Sequence, residues 1–348
     1  MLSPLITVLV LWGLWSAYWF VLSATAQSMA GDWRQKVAPR GMSLTCDDEN
    51  WGGYPFRIEI RCSRFRFTNK KKDKEFVARA HHVTAVAQAY KPWHVIVQFA
   101  PPLNLQLPAR KEENANLVLS ASHEPGIASI RLGEDYKPHV SILLTALKGD
   151  VDVEAGDTDF AAGEFSAASA NVHLRLEETS SPERPVLGIA ATIEALEYDG
   201  PVRDPVNAGP ITFNKLTFDG AVEGLPRHTP GNMQTLLRRW VDNGGRLQVR
   251  SLNAEKTPVV AQASGTVTVD KEGRLNGKIN ATVQRLDHII DELAELGRLS
   301  ENDARVSKGL FKIMSGDRPK GEIVSDLRLK KGKLYFGPFK LMKIPPLF

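Results

Sequence analysis

The sequence predicts a mainly β protein of the α+β class, in which an N-terminal transmembrane helix precedes a large curved antiparallel sheet. Three observations predict this class: residues 2–22 are almost continuously apolar, period-2 alternation recurs along most of the chain, and glycine turns separate the alternating stretches. A chain of 348 residues with 43% hydrophobic and 24% charged residues can bury a substantial core. A few packed amphipathic helices are expected in the C-terminal half.

The first element is the apolar stretch at 2–22, and residues 1–31 carry no charged side chain. At about 1.5 Å per residue this stretch can cross a bilayer. Aromatic residues that suit the membrane interface lie in its second half, namely Trp12, Trp15, Tyr18 and Trp19. A cleavable signal peptide is the alternative, because Ala24-Thr25-Ala26 resembles a small-x-small cleavage site. The apolar stretch exceeds the usual length of a signal peptide's core, so we expect residues 1–30 to remain as an anchor.

The second element is a stem that contains both cysteines of the chain. Residues 54–61 alternate as a half-buried strand, and Met42–Cys46 can form a strand before it. A hairpin that ends at Cys46 and Cys62 would bring the two sulfurs within bonding distance, so we predict a disulfide worth about 3 kcal/mol. Two buried free thiols are the alternative, and a lone cysteine pair fits no zinc pattern. The acidic run Asp47–Glu49 is interpreted as a solvated turn.

The location of the body follows from these two elements. Arg34, Lys36 and Arg40 follow the span, and the local charge rule would leave the body in the cytoplasm. Long C-terminal domains cross membranes largely regardless of loop charge, and a disulfide requires an oxidising compartment. We therefore expect a single-pass protein whose body lies in the periplasm.

Two segments carry a resemblance to a known family. G-G-Y-P-F-R-I-E-I-R-C at residues 52–62 and the hairpin at 327–339, followed by Pro345-Pro346-Leu347, resemble the bacterial domain of unknown function 2125. The resemblance covers nearly the whole chain and implies a periplasmic protein anchored in the inner membrane, but it brings no catalytic residues. Its most specific positions are Gly53, Pro55, Phe56, Arg57 and Cys62.

The body is predicted to consist of strands, with helices only near its end. Alternating stretches precede residue 200 at 65–68, 76–90, 93–99, 116–121, 139–147, 171–176 and 186–198. Later strands are expected at 211–218, 246–252, 263–269 and 274–283, helices at 232–241, at 286–296 and after a cap at Ser300, and a final hairpin at 322–336. Prolines and glycines at 200–210 indicate a boundary between regions 31–205 and 206–348, although one continuous sheet across it is the alternative.

The sequence contains none of the common motifs that place a nucleophile, a metal ion or a phosphate. His81, His82 and His94 form the best metal-like cluster, but alternation points the first two to opposite faces, so a polar sheet face is the preferred interpretation. The acidic segment 150–159 has the wrong spacing for a calcium loop. Lysines at 70–74 and 330–333 are interpreted as soluble hairpin tips, without the interleaved aromatics of a nucleic-acid groove. We therefore predict no enzymatic activity, no cofactor, no metal and no nucleic-acid partner.

Two stretches, 83–89 and 140–147, are apolar at both odd and even positions. A sandwich interior or a covering helix is one explanation. The other is a groove for lipid or another apolar ligand, and the residues expected to line it are Val83, Val86, Ile142 and Leu144. The sequence thus favours a non-enzymatic envelope protein that binds a lipid. A module that docks another envelope protein through a sheet edge is the second hypothesis, and a hydrolase with an unrecognised site is the third.

Overall fold

The computed structural model describes residues 3–71, 74–108, 116–132, 138–154, 163–177, 180–181, 185–200, 209–226, 233–295, 297, 299–316, 318–336 and 339–347. Antiparallel strands dominate these residues, one long apolar helix precedes them, and the remaining α-helices lie in the C-terminal half. The predicted mainly β class with an N-terminal helix is therefore confirmed. The chain divides into two compact units: unit 1 comprises Met1–Leu144 and Gly149–Asp159, and unit 2 comprises Thr145–Lys148 and Phe160–Phe348.

Unit 1 begins with the apolar helix and continues as one antiparallel sheet. Its elements are α1 Ser3–Val37, β1 Met42–Thr45, β2 Asp48–Gly52, β3 Arg57–Lys71, β4 Lys74–Gln88, β5 Lys91–Pro108, β6 Asn116–Ser122, β7 Gly126–Leu132 and β8 Pro138–Glu154. β1 and β2 pair with successive parts of β3, and β3 pairs in turn with β4 and β4 with β5. β5 then pairs with β7 along its first half and with β6 along its second, and β7 pairs with β8.

The stem differs from the predicted hairpin in one respect. Asp48 and Glu49 belong to β2 and pair with Ser63 and Cys62, so the interpretation of the acidic run as a solvated turn is wrong for these two residues. Trp51 and Gly52 extend the same strand. The physical reason is that β3 is long enough to pair with two short strands, which satisfies the backbone groups of an acidic segment that has low intrinsic β propensity.

Unit 2 is a meander in which each strand pairs antiparallel with the next one in sequence. Its strands are β9 Gly163–Leu176, β10 Val186–Asp199, β11 Ile211–Glu223, β12 Arg246–Lys256, β13 Val259–Val269, β14 Leu275–Gln284, β15 Ile323–Lys330, β16 Lys333–Phe336 and β17 Phe339–Lys343. The expected boundary at 205/206 lies outside the described residues. β10 and β11, on either side of it, pair directly.

Three helices interrupt this meander, α2 Met233–Asp242, α3 Leu286–Glu295 and α4 Glu301–Ser315. α4 begins as predicted, because the Ser300 side chain accepts a hydrogen bond from the backbone N–H of Asp303. In α2, Trp240 is buried and its indole N–H donates to the carbonyl of Glu223 at 2.6 Å. Gly244, with φ +70°, then turns the chain towards β12.

Candidate functional site

The two cysteines are joined. The sulfurs of Cys46 and Cys62 are 2.06 Å apart and their Cα atoms 5.3 Å apart, which is the pairing that the sequence predicted. Cys46 lies between β1 and β2, whereas Cys62 is buried in the middle of β3. The disulfide therefore fixes the segment that follows α1 to strand β3.

A tight turn at Gly53–Phe56 joins β2 to β3 and contains three of the family-motif residues, Gly53, Pro55 and Phe56, while Arg57 begins β3. Gly53 has φ +98°, and a Cβ atom there would lie 2.6 Å from the carbonyl oxygen of Arg57, so glycine is required. The backbone N–H of Arg57 closes the turn on the carbonyl of Gly53 at 3.0 Å. The carbonyl of Phe56 accepts from the backbone N–H of Ala89 at 2.9 Å, which links this turn to the one between β4 and β5. We call residues 53–57 and 89–93 the paired tips.

The aromatic face of α1 packs against the paired tips. Trp15 donates from its indole N–H to the carbonyl of Pro55 at 2.9 Å, Trp19 does the same to Arg57 at 2.8 Å, and the Tyr18 hydroxyl donates to Ala89 at 2.8 Å. The helical spacing of three and four residues places these three donors on one side of α1.

The ring of Tyr54 completes this contact. It lies edge-to-face against Trp19 with ring centroids 5.3 Å apart, stacks on Phe20 at 6.0 Å, and its hydroxyl hydrogen-bonds Ser16 at 2.8 Å. Sequence reasoning placed the tryptophans of α1 in a membrane interface and missed that they bind the body. The helical spacing of the aromatic donors was the pattern that could have indicated it.

A second contact ties the end of α1 to the stem. The guanidinium of Arg34 lies 2.5 Å from a carboxylate oxygen of Glu49, and the indole N–H of Trp51 donates to the other oxygen at 2.8 Å. Burial opposes ionisation of Glu49, but these two hydrogen bonds and the positive charge of Arg34 outweigh it and lower the pKa of Glu49 below its ordinary value. The carboxylate is therefore held ionised between the helix and β2.

One face of the unit 1 sheet is apolar in every register row from β3 to β8. Residues directly opposite each other on antiparallel strands point to the same face. The central row consists of Ile60, Ala85, Val97, Ala128 and Ile142. The rows on either side consist of Ile58, Ala87, Val95, Ile130 and Val140, and of Cys62, Val83, Phe99 and Gly126, beside which Leu144 packs. We call these residues the apolar face of unit 1.

The register brings three of the four predicted groove residues together. Val83, Ile142 and Leu144 lie on the apolar face, but Val86 does not. Val86 pairs with Glu59 and Ile96 on the opposite face, whose row continues through Ser129 to Ser141. An odd separation along a strand reverses the face, and for this reason Val83 and Val86 cannot line one groove.

Unit 2 separates apolar from polar side chains in the same way. One row across β9 to β14 consists of Val172, Ala191, Phe218, Leu252, Ala263 and Ala281. The adjacent row, on the opposite face, consists of Asn171, Thr192, Thr217, Asn253, Gln262 and Thr282. A second apolar row on the first face runs from β9 to β15 and consists of Leu174, Ile189, Gly220, Val249, Gly265, Ile279 and Leu327. We call this side the apolar face of unit 2.

These faces are only partly covered. In unit 1, Ile58, Cys62 and Gly126 are buried, while the other residues of the apolar face are half-buried. In unit 2, Val249 and Val267 are buried at one end of the face, but Leu252 is 43% exposed. A contiguous apolar surface that its own chain leaves open is typical of a binding surface.

The polar side chains that could have carried chemistry are dispersed. His82 hydrogen-bonds Ser63 at 3.3 Å, and His94 hydrogen-bonds Ser129 at 2.9 Å on another strand. Partial burial and the nearby charges of Arg131 and Lys91 lower the pKa of His94. The described residues contain no group of three His, Cys, Asp or Glu side chains that could hold a metal. Residues 155–159 of the acidic segment lie outside the described part.

Comparison with known families assigns the chain. The model of DUF2125, described as an uncharacterized protein conserved in bacteria, matches residues 19–345. The chain belongs to the DUF2125 family. No curated protein matches it. The DUF2125 match begins at Trp19, so it includes the paired tips, the disulfide and both apolar faces.

The described residues contain one helix that is long and apolar enough to cross a membrane. This helix covers Pro4–Arg40 when the short 3₁₀ turn that follows α1 is included. Most of its apolar side chains before residue 15 are exposed, among them Leu5, Leu9, Leu11 and Leu14. The rest of the described chain leaves this apolar surface of the helix uncovered.

Proposed function

We propose that this DUF2125 protein is a non-enzymatic, membrane-anchored envelope protein that binds lipid acyl chains on the apolar faces of units 1 and 2. The observation that carries the proposal is the register: within each unit successive rows are apolar on one face, and most of the side chains on that face remain half-buried. Acyl chains gain about 0.8 kcal/mol for each methylene group buried on such a surface. Binding requires no catalytic group.

The anchor and the location belong to the same proposal. The apolar α1 holds the protein in the inner membrane, and the body lies in the periplasm, where the bond between Cys46 and Cys62 can form and persist. The hydrogen bonds from Trp15, Tyr18 and Trp19 keep the sheet of unit 1 close to the membrane. Lipid is then the apolar ligand most abundant around the protein.

Native mass spectrometry of the full chain, extracted in mild detergent, tests lipid binding. The strand β8 offers a matched pair of variants, because Ile142 lies on the apolar face and the adjacent Leu143 on the opposite one. A carboxylate placed among acyl chains loses its hydration, which costs several kcal/mol. We expect Ile142→Glu to remove the share of co-purifying phospholipid that the apolar face of unit 1 holds, whereas Leu143→Glu leaves the amount unchanged.

Two results would contradict the proposal. Wild-type protein without any co-purified phospholipid would favour docking through a sheet edge, which needs no apolar surface. Equal lipid loss in the two variants would show that the face assigned by the register does not hold the ligand. Far-UV circular dichroism of both variants checks that each retains its strands.

A further inference from the structure

We propose that the paired tips enter the hydrocarbon of the membrane leaflet that faces the body, as a second membrane contact beside α1. The inference rests on α1 spanning the membrane, which belongs to the proposed function. It does not depend on lipid binding to the apolar faces.

The depth of the tips follows from the residues that they contact. Trp15, Tyr18 and Trp19 lie within the apolar stretch at 2–22, and Trp15 precedes its end by seven residues, or about 10 Å of helix. The carbonyls of Pro55, Arg57 and Ala89 accept hydrogen bonds directly from these side chains. The turns therefore lie beside the final part of the span. This is the depth that interfacial segments reach, about 5–10 Å below the headgroups.

Several backbone carbonyls of the tips have the hydrogen-bond partners that this depth requires. Non-helical backbone in a bilayer requires partners within the protein, because each unpaired carbonyl there costs several kcal/mol. The three helix side chains supply donors to three tip carbonyls, the amide of Ala89 supplies one to Phe56, and the amide of Arg57 supplies one to Gly53. Five carbonyls in two turns are thus paired without water.

The side chains on the outside of the tips are those of a membrane interface. Four aromatic residues are exposed there, with exposed fractions of 43% for Tyr54, 61% for Phe56, 56% for Tyr90 and 53% for Trp93. Arg57 and Lys91 are also exposed, and long cationic side chains at such positions can extend to lipid phosphates. Rings that combine an apolar body with a polar end are enriched at this depth.

The position of the tips also connects the membrane to the sheet. The row of the apolar face in unit 1 that lies nearest the tips contains Ile58, Ala87 and Val95, which follow or precede the tips by only one or two residues. With the tips inserted, that end of the apolar face meets the hydrocarbon directly. Insertion would therefore give acyl chains a route onto the face that does not cross water.

Depth-dependent quenching of an environment-sensitive label tests the insertion. Single thiols are introduced by Tyr90→Cys and, separately, by Trp93→Cys into the full chain, and they are labelled without reductant because both native cysteines are bonded. The proteins are reconstituted in vesicles of phosphatidylethanolamine and phosphatidylglycerol that contain phosphatidylcholine with a quencher on its acyl chain. Val8→Cys in α1 reports the span. Lys70→Cys, at the far end of β3 and about 40 Å from the tips along the strand, is the control outside the membrane.

We expect acyl-chain quenching of both tip labels to be severalfold greater than that of the Lys70→Cys label, together with a blue-shifted emission. Quenching of the Val8→Cys label with tip labels that resemble the Lys70→Cys label would overturn the insertion and leave the anchor intact. Absence of quenching at Val8→Cys would overturn both. Mobility on non-reducing gels verifies that the disulfide is retained in each variant.

Discussion

At the scale of single residues, the structure repeatedly uses one aromatic or charged side chain to satisfy one backbone or carboxylate group at the junction of α1 and the body. Trp15, Tyr18 and Trp19 each donate to a carbonyl, and Arg34 pairs with Glu49. Gly53, with φ +98°, supplies the backbone conformation of the turn that contains Pro55 and leads to Arg57. The junction thus depends on a few individual groups, and each can be changed separately.

Glu49→Gln tests the charged contact. The pKa of Glu49 is lowered in the folded chain, so its ionisation stabilises the fold above the pKa of an unfolded glutamate, about 4.3, and this contribution is lost as the pH falls through the lowered value. Because both side chains are partly exposed, we expect the variant to lose only about 0.2–1 kcal/mol at neutral pH.

Urea unfolding in mild detergent measures this difference. It should shrink towards zero as the pH falls through the lowered pKa of Glu49, because the carboxylate of the wild type then becomes protonated. Glu164→Gln is the control, since the exposed Glu164 of β9 forms no ion pair among the described residues. A difference between Glu49→Gln and wild type that persists unchanged at acidic pH would refute the electrostatic explanation.

At the scale of elements, α1 is more than an apolar span, because one side of it is fitted to two turns of the sheet. Its exposed leucines before residue 15 suit lipid, whereas Trp19 is only 7% exposed and Val37 6%. A helix that serves only as an anchor would need no donors aligned with carbonyls of the body. The contacts therefore indicate that α1 and the strands of unit 1 form one packed assembly.

Trp19→Phe tests this joining. The variant keeps a ring against Tyr54 but removes the indole N–H and leaves the carbonyl of Arg57 without its partner, which costs about 1–3 kcal/mol at a buried site. We expect its unfolding midpoint in detergent to fall by several degrees. Trp12→Phe is the matched control, because Trp12 is 53% exposed and meets the same Tyr54 through its ring alone. Equal destabilisation by the two substitutions would contradict a specific role for the hydrogen bond.

The sequence allowed the elements to be predicted better than the contacts between them. Alternation indicated most strands, Ser300 marked the start of α4, and the lone pair of cysteines indicated their pairing, since each depends on local spacing. The strand at Asp48 and Glu49 was missed because its partner, β3, rather than its own composition, stabilises it. Val86 was placed in the groove because odd and even positions of its strand are both apolar, and such a stretch does not indicate which face each residue occupies. That information comes from the register.

At the scale of the whole molecule, the two units share one feature, a face on which successive register rows are apolar. Each unit has its own apolar rows, built from its own strands. If each face holds acyl chains by itself, the bound lipid is the sum of two contributions. A substitution in unit 2 should then reduce binding without abolishing it.

Ile279→Glu tests this independence. Ile279 lies on the apolar face of unit 2, opposite Gly265 and Leu327, and the adjacent Asn280 lies on the polar face, so Asn280→Glu adds the same charge on the other side. We expect Ile279→Glu to remove only part of the lipid that native mass spectrometry detects, Asn280→Glu to remove none, and the double variant Ile142→Glu with Ile279→Glu to remove the sum of the two single losses. Two faces that bind lipid independently each contribute their own share to the total, so the losses should add. Complete loss of lipid in either single variant would show instead that the two faces hold one common ligand, because a single buried carboxylate would then exclude it from both.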